Sequence, residues 1–61
     1  MKIYYKEFDI FNEKPYNEIT VKKLQNILAN LYEGKSYGYE YISVIKITDD
    51  AIYLSKEEAE C

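Results

Sequence analysis

The clearest periodicity lies in residues 20–33, where Leu24, Ile27, Leu28, Leu31 and Tyr32 fall at i, i+3, i+4, i+7 and i+8. Side chains at that spacing share one face of a helix, and Val21 extends the stripe backwards by a turn. Thr20 is placed as an N-cap, with Ile19 before it able to staple onto Leu24. Gly34 is placed for the left-handed position that ends a helix. Lys22 and Lys23 open this helix and Glu33 closes it, against the macrodipole. Either the small cost is tolerated, or one of the two lysines meets an acidic group on a partner.

In the last third the period changes from 3.6 to two. Residues 39–48 and 51–55 are rich in β-branched and aromatic side chains and predict two strands joined by a turn at Asp49-Asp50. A two-residue turn sets Thr48 opposite Ala51, Ile47 opposite Ile52 and Ile45 opposite Leu54. Alternation then gathers Tyr39, Tyr41, Ser43, Ile45, Ile47, Ile52 and Leu54 on a core face. The other face receives Glu40, Ile42, Val44, Lys46, Thr48, Ala51, Tyr53 and Ser55.

Residues 2–11 predict a first strand of imperfect alternation. Ile3 and Tyr5 share one parity and Phe8 and Ile10 the other, which implies a bulge near Lys6-Glu7 or partial cover on both faces. Residues 12–19 read as a loop around Pro15. Lys35-Ser-Tyr-Gly38 connects helix to hairpin. Ser55-Lys-Glu-Glu58 has the form of a capping box, leading into a short frayed acidic tail over residues 56–61. The fold class is therefore α+β. One 1–61 domain of order β-α-β-β is expected, with a helix on a three-stranded sheet that ends in an antiparallel hairpin. The pattern leaves the strand order open.

Size changes the picture. A chain of 61 residues is short enough that its own core is marginal, and such chains lean on disulfides, metals or self-association. A single cysteine, Cys61, excludes an internal disulfide, and the sequence has no histidine. Cys61 without histidine cannot build a zinc site. Self-association or a lasting partner is the helper that remains, and a homodimer is one expectation.

The net charge is -3, and all eight basic residues are lysines spread along the chain. Arginine supplies the bidentate phosphate and guanine contacts of most nucleic-acid binders, so no direct nucleic-acid binding is expected. Abundant Lys, Asn, Ile and Tyr without Arg, Trp or His is the mark of an AT-rich genome, such as a low-GC bacterium or its phage. No segment approaches the roughly 18 apolar residues of a transmembrane helix, and the first residues lack a signal peptide's apolar run. The terminal cysteine does not form a prenylation box. A cytoplasmic location without membrane attachment is the expectation.

Candidate chemistry is sparse. Cys61 follows Glu57, Glu58 and Glu60, which raise rather than lower a thiol pKa. It reads as a stray thiol or an intermolecular disulfide. Asp49-Asp50 is turn chemistry before it is a metal ligand pair. No catalysis, cofactor or metal is expected.

Tyrosine is the anomaly, with eight copies. Its ring packs while its hydroxyl stays wet, which suits interfaces. Some of these rings, such as Tyr5, Tyr32 and Tyr39, can serve the rim of a small core. Tyr41, Tyr53, Tyr4 and Tyr37, with Ile42, Val44 and Lys46, are the expected partner-binding residues, with Ile42, Val44 and Tyr53 forming an apolar strip on the sheet face away from the helix. The leading expectation is a small protein-binding module, an inhibitor or adaptor of phage or mobile-element type that occupies a surface of a larger host protein. A homo-oligomeric structural or small-ligand-binding protein is the alternative. Mimicry of nucleic acid by Asp49, Asp50, Glu57, Glu58 and Glu60 is a third reading.

Overall fold

A computed structural model describes residues 1–9, 11–32 and 40–58. Five elements follow in order: β1 (Lys2–Glu7), β2 (Asn17–Ile19), α1 (Val21–Tyr32), β3 (Glu40–Ile47) and β4 (Ala51–Glu58). One helix with a mixed four-stranded sheet makes this an α+β fold, as the pattern predicts. The sheet runs β2-β1-β4-β3. The first strand pairs in parallel with the last, Tyr4 opposite Tyr53 and Tyr5 opposite Leu54.

Three boundaries differ from the sequence expectation. A fourth strand, β2, lies inside the expected 12–19 loop and runs antiparallel to β1, with Ile3 opposite Ile19. Three residues are too few for a visible alternation; only the neighbouring strand makes them one. β1 stops at Glu7 instead of continuing to residue 11, and its register is unbroken through Lys6-Glu7, so of the two readings of its imperfect alternation the bulge is not there. The chain turns away beyond it, where the Phe11 N–H donates to Asp9 Oδ1 at 2.9 Å. That local bond competes with the ladder.

β4 continues to Glu58, where a capping box and tail were expected. Ser55, Lys56, Glu57 and Glu58 pair with Ser43, Ile42, Tyr41 and Glu40 of β3, and Ser55 and Lys56 also pair with β1. Ladders on both sides override a local helix signal. Gly34, Glu33, Lys35, Gly38 and Tyr39, and the tail from Ala59 to Cys61, lie outside the described residues.

The helix begins as its sequence dictates. The Lys23 N–H donates to Thr20 Oγ1 at 3.1 Å, and the Leu24 N–H donates to the Thr20 carbonyl at 3.0 Å. Leu24, Ile27, Leu28 and Leu31 are half-buried, while Val21 and Tyr32 are exposed. At about 100° per residue those two sit some 60–80° round from Leu24, on one flank of the stripe.

Pairing partners across a sheet share a face, so the registers sort every strand residue. Ile3, Tyr5 and Glu7 fall on one face with Ile52, Leu54 and Lys56. This is the face α1 covers, because Tyr5, Glu7 and Lys56 line a cleft of about 360 Å³ together with Ile27 and Leu31 of the helix. Among the described residues, Tyr5, Ala51 and Leu54 are the buried apolar side chains and Ser55 the buried polar one. The core is thin.

The hairpin turn forms as expected. Thr48 donates its N–H to the Ala51 carbonyl at 2.8 Å, and Thr48 Oγ1 accepts from the Ala51 N–H at 3.1 Å. Ile47 faces Ile52, also as expected, but Ile45 does not face Leu54. A bulge intervenes, so Lys46 pairs with Tyr53 and Val44 with Leu54. One extra residue reverses the faces of everything N-terminal to it.

Candidate functional site

The face away from α1 is set by the same registers. β1 contributes Lys2, Tyr4 and Lys6; β4 contributes Ala51, Tyr53, Ser55 and Glu57; β3 contributes Tyr41, Ser43 and Lys46. Tyr4 and Tyr53 occupy opposed positions on neighbouring parallel strands, and their rings stack with centroids 5.0 Å apart and planes 16° from parallel. Tyr16, just before β2, and Tyr53 form a T-shaped pair at 5.2 Å and 79°. Both geometries suit the ring quadrupole.

Two lysines flank the cluster. Lys6 Nζ lies 4.8 Å from the Tyr16 ring centroid, and Lys46 Nζ lies 5.7 Å from that of Tyr53. An ammonium over an aromatic face gains about 0.5–1 kcal/mol at an exposed site. The result is a row of aromatic surface across β2, β1 and β4 with a cation towards each end.

Of the residues expected at a binding surface, Tyr4, Tyr53 and Lys46 are brought together here. Tyr41 shares the face, lies opposite Glu57 and is exposed. Ile42 and Val44 do not join them: the bulge at Ile45 turns both to the helix side, opposite Lys56 and Leu54. The expected Ile42/Val44/Tyr53 strip is therefore split between two faces. Tyr37 lies outside the described residues. Sequence reasoning missed Lys6 and Tyr16, because only the β1–β2 pairing brings Tyr16 back over the sheet.

Charge is divided between the faces. Lys2, Lys6 and Lys46 lie on the tyrosine face with Glu18 and Glu57, whereas Glu7, Glu40 and Glu58 lie on the helix side. On the helix side Lys56 bridges two strands, with Nζ 3.4 Å from Glu7 and 3.2 Å from Glu40. Burial acts to lower the Lys56 pKa, but the Glu40 hydrogen bond and the charges of Tyr5, Glu7 and Glu40 outweigh it and hold it above the ordinary lysine value. Burial, aided by Glu7 and Glu40 and opposed by Lys56, raises the pKa of Tyr5. This group ties β1, β4 and β3 together.

Glu60 lies outside the described residues, and among those described the acids considered as phosphate stand-ins form no single patch. Glu57 and Glu58 point to opposite faces, and Asp49-Asp50 lies at the other end of β4. Asp50 Oδ1 instead accepts from the Thr48 hydroxyl at 3.1 Å, within the turn. Among the described residues no three His, Cys, Asp or Glu side chains are grouped to hold a metal ion. No described helix is long and apolar enough to cross a membrane. A groove of about 430 Å³ lies beside the loop after β1, lined by residues that include Lys6, Phe8, Phe11 and Lys14.

No protein-family model, curated protein or solved structure matches the chain.

Proposed function

We propose that this chain is a non-catalytic protein-binding module whose docking face is the tyrosine–lysine side of the sheet. The observation that carries this reading is the Lys6–Tyr16–Tyr53–Lys46 row, with Tyr4 stacked on Tyr53. Packed aromatic rings present rigid amphipathic area at low entropic cost, and such residues are enriched where proteins meet. The lysines favour a partner surface with acidic groups around an apolar centre. Acting as an inhibitor or adaptor, the module blocks or bridges the partner by occupying its surface in the cytoplasm of a low-GC bacterium.

The test uses the immobilised 61-residue chain as bait in lysate of such a host. Any protein retained is then titrated against a Tyr41→Ala/Lys46→Glu variant and against Lys22→Glu, which changes the helix instead. The face variant should weaken binding by about tenfold or more, the loss of roughly 1.4 kcal/mol, with Lys22→Glu near wild type. Equal binding by both variants would remove the tyrosine face from consideration.

A further inference from the structure

The β3 edge carries a second inference, independent of the tyrosine face. β3 is an eight-residue edge strand, paired only on its β4 side among the described residues. Its side chains are the most exposed apolar group of the sheet: Val44 is 54% exposed, Ile45 51% and Ile47 65%. An open strand of this length presents a row of unpaired backbone groups to another strand. The usual protections, a bulge at Ile45 and a lysine beside it, sit at the turn end; from Glu40 to Val44 the ladder is regular.

We infer that β3 pairs antiparallel with β3 of a second copy, about a two-fold axis at Ser43, joining two sheets into one of eight strands. The register follows from the faces. About Ser43, Ile42 of one copy lies opposite Val44 of the other on the helix side, a β-branched pair suited to a ladder. On the tyrosine side, Tyr41 lies opposite the bulged Ile45-Lys46 of its partner, with a cation beside a ring. No like charges oppose each other. An axis at Ile42 instead sets Glu40 against Val44, and an axis at Val44 runs the regular ladder into the bulge.

A second copy is the occupant the chain itself argues for. Among the described residues three buried apolar side chains are a small core, one cysteine permits no internal disulfide, and chains of this size commonly gain stability by association. Self-pairing covers Val44 and Ile42 and sets two tyrosine faces side by side in one surface.

Light scattering on the full chain in reductant, over a concentration series, reads the assembly directly. The expected mass is twice that of the chain, falling to the single-chain mass on Val44→Lys while the circular dichroism is kept. In a Cys61→Ser background, Ser43→Cys should give a disulfide-linked dimer on mild oxidation. Opposed Cα atoms in an antiparallel pair lie about 4.5–5.5 Å apart, within disulfide reach. Lys46→Cys, which faces Tyr41 of the other copy instead of itself, should cross-link far more slowly. A monomer up to about 1 mM, the weakest association of interest, would overturn the inference. So would a dimer indifferent to Val44→Lys, or equal cross-linking at positions 43 and 46. Partner binding by the tyrosine face is read separately by Lys6→Glu, which changes that face at Tyr16 and leaves β3 untouched, so either proposal can fail alone.

Discussion

Tyr53 is the hub of the open sheet face: its ring stacks on Tyr4 at 5.0 Å, makes a T-shaped contact with Tyr16 at 5.2 Å and lies 5.7 Å from Lys46 Nζ. Removing it strips packing from β1, β3 and the segment before β2 at once. Tyr53→Ala should cost about 2–3 kcal/mol, below the full range for a buried ring because Tyr53 is only half-buried. Tyr53→Phe keeps the ring and should stay within about 0.5 kcal/mol of wild type. Urea denaturation of the two variants distinguishes packing from any requirement for the hydroxyl.

Lys56 and Tyr5 make stability fall in alkali. Both folded-state pKa values lie above their ordinary values of 10.5 and 10.0. The stabilisation is therefore complete below about pH 10 and is lost as pH rises through the folded-state values. Lys56→Met removes the cation that opposes the rise at Tyr5, so tyrosinate absorbance should show one tyrosine moving further up. At neutral pH the same variant should lose about 1–2 kcal/mol, since the largely buried Glu40 carboxylate is left without its cation. An unchanged tyrosine titration would break the link between the two residues.

Thr20 caps α1 through its side-chain oxygen, which accepts from the Lys23 N–H at 3.1 Å. Thr20→Ala should cost about 1 kcal/mol, and Thr20→Ser much less. Thermal unfolding followed at the helix band measures both.

Deleting Ile45 offers a sharper test of the bulge. Val44 already pairs with Leu54 and Lys46 with Tyr53, so removal leaves two ladders that join without a change of face. The variant should fold with stability within about 1 kcal/mol of wild type. Amide exchange and cross-strand NMR contacts should still place Ile42 opposite Lys56. Loss of that pairing would mean the bulge is required for the sheet.

Much of the local structure was legible in the chain. The 3.6-residue stripe and Thr20 locate α1, and the alternation on either side of Asp49-Asp50 locates the hairpin turn. These signals are short in range: a cap, a turn and a periodic face each act within a few residues. The tyrosine surplus also marks the surface that Tyr4, Tyr41 and Tyr53 share.

Strand order, face and partner on the sheet were decided elsewhere. β2 exists because β1 is beside it, and β4 extends through Ser55-Glu58 because β3 and β1 both pair there. A single bulged residue, Ile45, moved Ile42 and Val44 from the face expected for them to the helix side. Alternation predicts faces only while the register is unbroken, and register is an energy shared between strands distant in sequence. Local patterning thus determined which segments become helix and hairpin. Only the tertiary ladder, which satisfies backbone groups across the whole sheet at once, decided that Lys6, Tyr16, Tyr53 and Lys46 stand in one row.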